Sequence, residues 1–490
     1  VLSISPFSLL NHETTYCFQE LCSSPQFIVN GATRLDVRQG KLNDCWLLSA
    51  IASLSVHRSL LKKVVPLGQS FQDGYNGCFT FRFWQYGQWK EVTIDDLLPT
   101  LDNKLIYLSS PDKCEFWSSL LEKAYAKLKG GYRALDMGFP HEAMVDMTGG
   151  VAEVLNISSL PRDLPAFLRQ LLAKGALINC ANCQGPLEQR NELGIMFRHA
   201  YSLTAVETVK MKNGTEDLVR ILNPWGNTEW EGPWSDLNGQ EWNRVGVEEQ
   251  KRLGRVSRED GEFWMSVSDF RQNFEAMEVC HLTETLSKPG SRVRPWSCII
   301  HHGNWEPGIT NPQFSFILLE VDSSTTESGK TCSFVLALMQ KHQRRRGINL
   351  SIALHIYKDL KTHRPVLYSH HYSSRREIVL RSSLPPGHYI IIPSTFEPNQ
   401  QGEFLLRVLT EQGNTHGFCK PVHLYNLLTE VIQGGVLAGS EKYLTLEHCK
   451  SIVVLMDSQG IAQLNWPEFQ GLWDKIRRWT VRLSTHSSNI

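Results

Sequence analysis

The sequence predicts a multidomain α+β protein in which a helix-rich region, a mostly β region, an antiparallel β-sandwich and a helical tail follow one another. Its 490 residues, 41% of them hydrophobic, are enough for three or four cores at about 100–200 residues per domain. Apolar residues recur at helical spacing early in the chain, but they alternate in short segments between Val293 and Thr410. Helical spacing then returns from Leu424 to Trp479.

The first region is predicted to be helical around two apolar runs. Trp46, Ala50 and Leu54 share one face of a helix that should begin at Cys45, after a loop containing Gly and polar residues. A second helical run extends from Glu115 to Leu128. We therefore predict a helix-rich domain over residues 24–140 and leave residues 1–23 unassigned.

The middle of the chain changes from helical to strand-like patterns. One helix-like stretch from Asp163 to Lys174 is followed by apolar runs at Ala200–Val206 and Leu218–Leu222, which favour strands. This predicts a mostly β domain over residues 141–285. The short alternating segments that follow are separated by Pro, Gly and Ser, and they predict a β-sandwich over residues 286–411.

The tail, residues 420–490, has the outline of a truncated EF-hand region. Asp457 and Glu468 occupy the first and last positions of a 12-residue calcium loop. Its third, fifth and sixth positions are Gln, Ile and Ala, which supply fewer oxygen ligands and a strained turn. We expect this loop not to bind calcium usefully. We expect its flanking helices to be held by apolar packing of Val454, Leu455, Phe469 and Leu472.

Composition excludes several classes of function. The 50 basic and 50 acidic residues cancel, so no overall charge attracts the protein to nucleic acid. No apolar stretch approaches the roughly 18–20 residues needed to cross a bilayer. The 12 cysteines lack the dense spacing of a small secreted scaffold, and the N-terminus lacks a secretory pattern. These features predict a reducing, cytoplasmic location.

Cys45 is the candidate nucleophile. A thiolate is stabilised at a helix N-terminus, which is the position predicted for Cys45. Gln39 lies six residues earlier, where a loop could direct its amide toward an oxyanion, together with the Cys45 backbone N–H. A cysteine in an apolar helix is more often a small buried hydrophobe, but the string Q-G-K-L-N-D-C-W favours a catalytic role.

A nucleophilic cysteine needs a base and a group that orients the base. His199 in H-A-Y-S-L-T and Asn223 in N-P-W-G follow Cys45 in the order found in papain-like proteases. The spacing between them suits two neighbouring strands joined by a loop. Both side chains could then face one cleft.

Longer strings resemble one protease family from Ser24 to Cys280. They are Q-G-K-L-N-D-C-W-L-L, E-F-W-S-S-L-L-E-K-A-Y-A-K-L, H-A-Y-S-L-T, N-P-W-G-N-T-E-W-E-G-P-W-S-D and E-D-G-E-F-W-M-S. The chain resembles the catalytic large subunit of the calpains, in the papain-like cysteine protease clan. The resemblance implies a two-lobed core in which Cys45 is the nucleophile, His199 the general base, Asn223 its orienter and Gln39 the oxyanion donor. It also implies that Trp225 lies beside the cleft and moves when the site closes.

The resemblance further implies Ca²⁺ as a cofactor, bound at two sets of oxygen ligands. Each acid alone is more often a solvated surface charge, but all six match the family pattern together. The first set comprises the carbonyls of Val29 and Gly31 with the carboxylates of Asp36 and Glu115. The second set comprises Glu229, Asp236, Asp260 and Glu262 with the carbonyl of Arg258. Neutralising these charges would lock the two lobes together.

The resemblance leads to the expectation of a calcium-regulated intracellular cysteine endopeptidase that makes limited cuts in protein substrates. The alternative is a catalytically impaired calpain-like isoform that acts as a binding or regulatory protein, because Arg198 replaces a Gly before His199. The basic run Lys341–Arg346 is either a contact for acidic phospholipid or acidic protein, or a solvated loop. The tail matches only the early part of a five-EF-hand domain, which argues against a small regulatory subunit.

Overall fold

The structure of the protein is a computed structural model that divides the chain into two compact units, Val1–Pro295 and Trp296–Ile490. No helix in the described residues combines the length and apolarity needed to cross a bilayer. The structure describes residues 14–17, 21–187, 189–257, 260–283, 296–318, 331–341, 349–358, 363–369, 371–410, 424–425, 428–429, 444–457, 464, 468–469, 471–473 and 475–476.

The first unit begins with a helix-rich part. Its α-helices are α1 (Cys45–Ser55), α2 (Arg58–Val64), α3 (Trp117–Lys129) and α4 (Pro140–Thr148). Its strands are β1 (Thr14–Cys17), β2 (Cys78–Gln85), β3 (Gln88–Asp95), β4 (Leu97–Leu101) and β5 (Lys104–Leu105). Strands β2 and β3 pair as a hairpin, and β4 lies between β1 and β5. The helix predicted to begin at Cys45 is confirmed as α1.

Helix α1 is buried on all sides beyond its first residue. Small residues such as Ala50 and Ala52 allow neighbouring elements to approach its backbone closely. The buried serine hydroxyls form hydrogen bonds within the helix. Ser49 donates to the Trp46 carbonyl at 3.1 Å, and Ser55 donates to the Ala52 carbonyl at 2.7 Å. The helix is therefore held rigidly from its first turn to its last.

The rest of the first unit is built on a six-stranded antiparallel sheet with the order β10-β9-β8-β7-β11-β6. The strands are β6 (Val151–Asn156), β7 (Leu177–Ala181), β8 (Tyr201–Met211), β9 (Gly214–Leu222), β10 (Glu262–Ser266) and β11 (Ala276–His281). The helices are α5 (Leu164–Ala173), α6 (Val247–Leu253) and α7 (Val267–Asn273). The predicted helical stretch is confirmed as α5, whose N-terminus is capped by Asp163 through a 3.0 Å bond from the Ala166 N–H.

Strands β8 and β9 form the hairpin that positions the candidate site. They are joined by a two-residue turn, with Met211 opposite Gly214, and their far ends are in register at Ser202 and Leu222. The residues just before β8 and just after β9 therefore lie side by side at one end of the sheet.

The second unit contains the predicted β-sandwich. Its two antiparallel sheets have the orders β12-β19-β14-β17 and β13-β18-β15-β16. The strands are β12 (Ser297–Trp305), β13 (Phe314–Leu318), β14 (Cys332–Gln340), β15 (Ile352–Tyr357), β16 (Leu367–Tyr368), β17 (Glu377–Leu384), β18 (Gly387–Thr395) and β19 (Gly402–Thr410). Side chains from both sheets, including Phe334, Leu354, Ile391 and Phe404, share one apolar core.

The tail contributes helix α8 (Leu446–Met456) to the described residues. Cys449 and Val453, four residues apart on one face, pack in an apolar cluster with Leu472. Val454 and Leu455 are 67% and 83% exposed, so the expectation that they pack inward is wrong. Residues 458–463 and 465–467 of the predicted calcium loop lie outside the described residues, and the expectation about the loop stays a prediction.

A disulfide that the cysteine pattern did not predict joins Cys22 to Cys114. Hydrogen bonds continue the connection, since the N–H of Gln26 donates to the Cys114 carbonyl at 2.7 Å and the N–H of Phe116 donates to the Gln26 carbonyl at 3.1 Å. The segment that includes Val29 is thereby attached to the turn before α3.

A buried ion pair crosses one sheet of the sandwich. Arg407 on β19 donates from Nη2 to Glu377 Oε1 on β17, with side-chain exposures of 1% and 9%. A buried pair costs desolvation energy, and removal of one partner leaves an uncompensated buried charge. A second pair, Lys341 with Glu403 on β19, is about half exposed at both residues and serves as a natural comparison.

We predict that Glu377→Ala lowers the free energy of unfolding of the sandwich by about 3 kcal/mol, because Arg407 loses its buried partner. Glu403→Ala is the matched control, and it should cost less than about 1 kcal/mol since water screens that pair. Hydrogen exchange of β14 and β19 in the full chain measures both effects. Equal costs for the two variants would contradict the prediction.

Candidate active site

Cys45 is the first residue of α1, as the sequence predicts, and its thiol is half-buried and not in a disulfide. The position of the helix is fixed against the six-stranded sheet. Ser202 Oγ on β8 donates to the Ser49 carbonyl at 2.8 Å, and Ser53 Oγ donates to Asn179 Oδ1 on β7 at 3.4 Å. The thiol is therefore held at the same end of the sheet as the start of β8.

His199 and Asn223 meet at the open end of the β8–β9 hairpin. His199 Nε2 lies 2.7 Å from Asn223 Oδ1. The amide orientation is fixed because Asn223 Nδ2 donates to the carbonyls of Asn227 and Thr228 at 2.8 and 2.9 Å. Oδ1 is therefore the acceptor, and the proton of the imidazole lies on Nε2.

The other imidazole nitrogen is available for proton transfer. His199 is completely buried, and its Nδ1 atom has no hydrogen-bond partner among the described residues. Burial lowers the pKa of His199 to about 4, although the hydrogen bond to Asn223 acts in the opposite direction. The imidazole is therefore neutral near pH 7, with Nδ1 as an acceptor.

Tyr201 packs against the candidate imidazole. Its ring packs edge-on against His199 with centroids 5.0 Å apart. Burial raises the pKa of the Tyr201 phenol well above its ordinary value, and the nearby Cys180 and Cys45 raise it further. Cys45 is therefore close enough to Tyr201 to act on it electrostatically.

Gln39 and Trp225 form a direct link beside the imidazole. The Trp225 indole N–H donates to Gln39 Oε1 at 2.6 Å, and the indole lies 4.7 Å from the His199 ring. Gln39 Nε2 donates one hydrogen to the Leu42 carbonyl at 2.8 Å. Its second amide hydrogen has no partner in the described part of the chain. Trp225 therefore lies between the candidate base and the candidate oxyanion donor.

Arg198 occupies an unusual backbone conformation next to His199. Its φ of 53° is in the left-handed region, which costs a non-glycine residue about 1–2 kcal/mol. The Arg198 N–H donates to the Asn182 carbonyl at 2.6 Å, which holds this conformation. The side chain is exposed and makes no hydrogen bond or ion pair with the described residues.

The first predicted calcium set lies around the turn before α3. Glu115 accepts from the Val29 N–H at 2.7 Å and from Ser110 Oγ at 2.8 Å. Asp36 accepts from the N–H and the hydroxyl of Thr33 at 2.6 and 2.7 Å. Burial raises the pKa of Glu115, and the charge of Asp36 raises it further. The two carboxylates are thus near each other, but each accepts hydrogen bonds from protein groups.

The second predicted set surrounds the loop before β10. Glu229 Oε1 accepts from the N–H groups of Asp260 and Gly261, both at 2.7 Å. Asp236 Oδ1 is buried without a partner among the described residues. Burial raises the pKa of Asp236 to about 8, and the charges of Glu229, Asp260 and Glu262 raise it further.

Glu262 is already paired with a cation from the helix-rich part of the unit. Arg34 Nη2 donates to Glu262 Oε1 at 2.6 Å, and Arg34 Nε donates to Oε2. Arg220 Nε lies 3.7 Å from Glu262 Oε2. Sequence reasoning did not identify Arg34, because its partner lies 228 residues away and neither residue has a local pattern.

Both predicted sets offer the oxygen ligands that a hard cation prefers. Their side chains are not arranged as a ligand shell in this structure. No three His, Cys, Asp or Glu side chains in the described residues are close enough to hold a metal ion. Arg258 lies outside those residues. The unpartnered Asp236 oxygen and the mutual effect of four acids suit a divalent cation. Glu229 and Asp260 accept from backbone N–H groups, and Glu262 accepts from Arg34.

Comparison with known proteins identifies the family. Residues 17–281 match the profile described as calpain family cysteine protease, and residues 304–409 match calpain large subunit, domain III. The chain belongs to the calpain family. It is 40% identical to the mouse calpain-1 catalytic subunit over 535 residues, which cover 94% of this chain and 74% of that protein. Human calpain-9 is 39% identical over 531 residues, covering 94% of this chain and 76% of that protein.

Within this calpain large subunit, one loop joins Glu229 of the second acidic set to Asn223. Gly261 donates its N–H to Glu229, and its carbonyl accepts from the Asn223 N–H at 2.8 Å. Its φ is 90°, and an added Cβ would lie 2.7 Å from the Asn223 carbonyl oxygen. Glu229 is therefore connected to Asn223 through one glycine.

We predict that Gly261→Ala lowers thermal stability by the equivalent of about 2 kcal/mol and reduces peptidase activity more than tenfold, because the new methyl group displaces Asn223. Gly246→Ala is the matched control, since Gly246 has a φ of −63° and an added Cβ would meet no atom of the described residues within 4 Å. Calorimetry and peptide hydrolysis measure the two effects. An active, stable Gly261→Ala protein would disprove the role of this contact.

Proposed function

We propose that this calpain is a calcium-activated cysteine endopeptidase that makes limited cuts in protein substrates. The observation that carries the proposal is the 2.7 Å contact of His199 with Asn223, beside an Nδ1 atom that has no partner among the described residues. An imidazole held in one tautomer, with its other nitrogen open, is suited to act as the base for a thiol. Cys45 at the start of α1 is the thiol that this base would serve.

The proposed reaction begins with transfer of the Cys45 proton to His199 Nδ1. The N-terminus of α1 stabilises the thiolate, and Asn223 Oδ1 stabilises the imidazolium. Attack of Sγ on the scissile carbonyl forms a C–S bond and moves an electron pair onto the carbonyl oxygen. The second N–H of Gln39 Nε2 and the backbone N–H of Cys45 are the proposed donors to this oxyanion.

His199 then gives its proton to the leaving amine, and the C–N bond breaks. A water molecule, deprotonated by His199, attacks the thioester and releases the carboxylic product. Cys45 is restored as a thiol when the proton returns. Cys45, His199, Asn223, Gln39 and one water molecule supply every group that these reaction steps require.

Trp225 supports a regulated version of this chemistry. Its indole packs on His199 and bonds Gln39, so it lies where a peptide backbone would have to pass between base and oxyanion donor. We propose that Trp225 leaves Gln39 when the site closes. The two-lobed papain-like core, with residues 24–140 and 141–285 as lobes, is part of this proposal.

Calcium, when bound, would supply the positive charge that lets the acids of each set approach one another. Val29, Gly31, Asp36 and Glu115 would hold one ion, and Glu229, Asp236, Arg258, Asp260 and Glu262 the other. Arg34 bonds Glu262 across the two parts of the unit, and Glu229 bonds the loop that holds Asn223. A change at the acids can thus reach the triad through contacts already present.

Other parts of the proposal rest on the sequence. Protein substrates follow from the protease family, whereas a cytoplasmic location and an EF-hand-like tail over residues 420–490 are proposed from composition and pattern. For the basic run, Lys341 pairs with Glu403, and residues 342–348 lie outside the described residues. A contact with acidic phospholipid or acidic protein remains a proposal for that run.

The second candidate function is a catalytically impaired calpain that acts by binding. The strained backbone and the exposed guanidinium of Arg198, directly before His199, favour it. A bulky side chain at that position would narrow the cleft. Self-cleavage on addition of calcium would reject this candidate, and its absence in a folded protein would support it.

We predict that Cys45→Ala abolishes casein cleavage in calcium while the melting temperature stays within about 2 °C, because the role of the thiol is chemical. His199→Ala should be equally inactive. Asn223→Ala should keep more activity, since orientation contributes less than the base itself. Assays with calcium and with chelator give the calcium dependence. Near-normal cleavage by Cys45→Ala would remove Cys45 as the nucleophile.

We predict that the double change Asp260→Asn and Glu262→Gln raises the calcium concentration for half-maximal activity at least tenfold, because ligands and charge are lost. Calorimetric calcium titration should show the same loss of affinity. Glu248→Gln, at an exposed carboxylate of α6, is the charge control. Arg34→Met removes the ion pair with Glu262 but keeps both proposed calcium ligands, so it distinguishes the effect of the lost pair from that of the lost ligands. An unchanged titration in the double variant would reject the second site.

A further inference from the structure

Two buried acids lie directly behind the candidate nucleophile. Asp44, the residue before Cys45, and Glu122 on α3 are each only 1% exposed. Their side chains are hydrogen-bonded to each other. Neither acid has a role in the proposed reaction.

The Asp44 side chain does not cap α1, although its position at the start of the helix favours capping. Asp is among the preferred residues at a helix N-cap, where its carboxylate accepts from the first free N–H groups. Asp44 is the N-cap of α1, yet its side chain makes no capping bond. Its backbone carbonyl accepts instead from the N–H groups of Leu47 and Leu48, at 2.8 and 3.1 Å. The carboxyl group is turned toward Glu122, and its Oδ2 atom has no partner among the described residues.

Glu122 is well placed to hold that carboxyl group. Both of its oxygens lie within reach of the Leu108 N–H, at 3.3 and 3.2 Å. Leu108 in turn accepts at its carbonyl from Ser119 Oγ on the same helix, at 2.8 Å. The Glu122 side chain is thus fixed between α3 and the preceding loop. A hydrogen bond between two carboxyl groups requires that one of them carry a proton.

Burial favours that shared proton. Burial raises the pKa of Asp44 to about 7 and raises the pKa of Glu122 well above its ordinary value. The neighbouring Asp44 raises the pKa of Glu122 further, whereas the hydrogen bond from Glu122 lowers the pKa of Asp44, so the shared proton lies on Glu122. The pair therefore stabilises the fold most at acidic pH. This stability is lost as the pH rises through the raised pKa values, because the folded state binds the proton more tightly than the unfolded state.

Other ionisable groups among the described residues act on the pair or on its neighbours. The charge of Asp136 further raises the pKa of Asp44, and Asp136 accepts from Asn43 Nδ2 at 2.9 Å. The phenols of Tyr107 and Tyr132 stack at 4.3 Å, and Tyr132 interacts electrostatically with both acids. Asp95 also acts on Tyr132 and is paired with Lys123.

We propose that Glu122 is a positioning residue for the nucleophile: it shares a proton with Asp44 and so holds the Asp44 carboxyl group off the helix N-terminus where the Cys45 thiolate forms. An Asp44 carboxylate that capped the helix would compete for the N–H groups that stabilise the thiolate and the oxyanion. It would also add a second negative charge beside the sulfur. The proposal rests on Cys45 as the nucleophile.

The test measures the pH dependence of Cys45 alkylation by iodoacetamide, resolved by mass spectrometry of its peptide in the full chain without calcium. Glu122→Met removes the shared proton, so the pKa of Cys45 should rise by about 1 and alkylation at a given lower pH should fall about tenfold. Glu122→Gln still donates to Asp44 and accepts from Leu108, so it should keep the wild-type profile. Asp44→Asn removes the charge and should lower the pKa of Cys45.

The variants separate the possible outcomes. Identical profiles for wild type, Glu122→Met and Asp44→Asn would overturn the proposal. If Glu122→Met does not fold, Asp44→Asn and Glu122→Gln decide, and an unshifted Asp44→Asn profile overturns it. Since alkylation requires neither calcium nor proteolysis, an inactive wild-type protein with the expected profiles would count against the proposed function but support this inference. A loss of reactivity in Glu122→Gln equal to that in Glu122→Met would indicate a merely structural role.

Discussion

The packing of α1 against the six-stranded sheet is the contact on which the site depends. Two serine hydroxyls, Ser202 on β8 and Ser53 on α1, connect the helix to neighbouring strands. Because α1 is buried along its whole length after Cys45, it cannot shift without disturbing the core. The thiol at its first residue and the imidazole before β8 are therefore positioned by one interface.

The first unit also contains several buried acidic side chains. Asp44, Glu115, Glu122 and Asp236 all have raised pKa values, with burial as the largest cause. Such groups cost stability unless they are protonated, hydrogen-bonded or neutralised by a cation. Asp44 and Glu122 use the first two solutions together. One Asp236 oxygen has no partner among the described residues and lies among like charges, which suits the third.

Local patterns predicted much of the fold and part of the site. The helix beginning at Cys45, the α5 helix and the sandwich were all visible as short-range periodicity. The hairpin that brings His199 to Asn223 followed from apolar runs of strand length. The pattern failed for Val454 and Leu455, because an apolar residue in a helix is buried only when its own face meets a partner. It also gave no sign that Cys22 pairs with Cys114.

The sequence by itself determined the residue types of the candidate triad, their order and the helix N-terminus that carries the thiol, since these depend on neighbours along the chain. Only the tertiary structure decided what each polar atom bonds. Gln39 contacts Trp225, Arg34 contacts Glu262, and Asp44 turns from its own helix toward Glu122. These partners lie from 78 to 228 residues apart, and a buried polar group takes whichever partner the packing brings within reach.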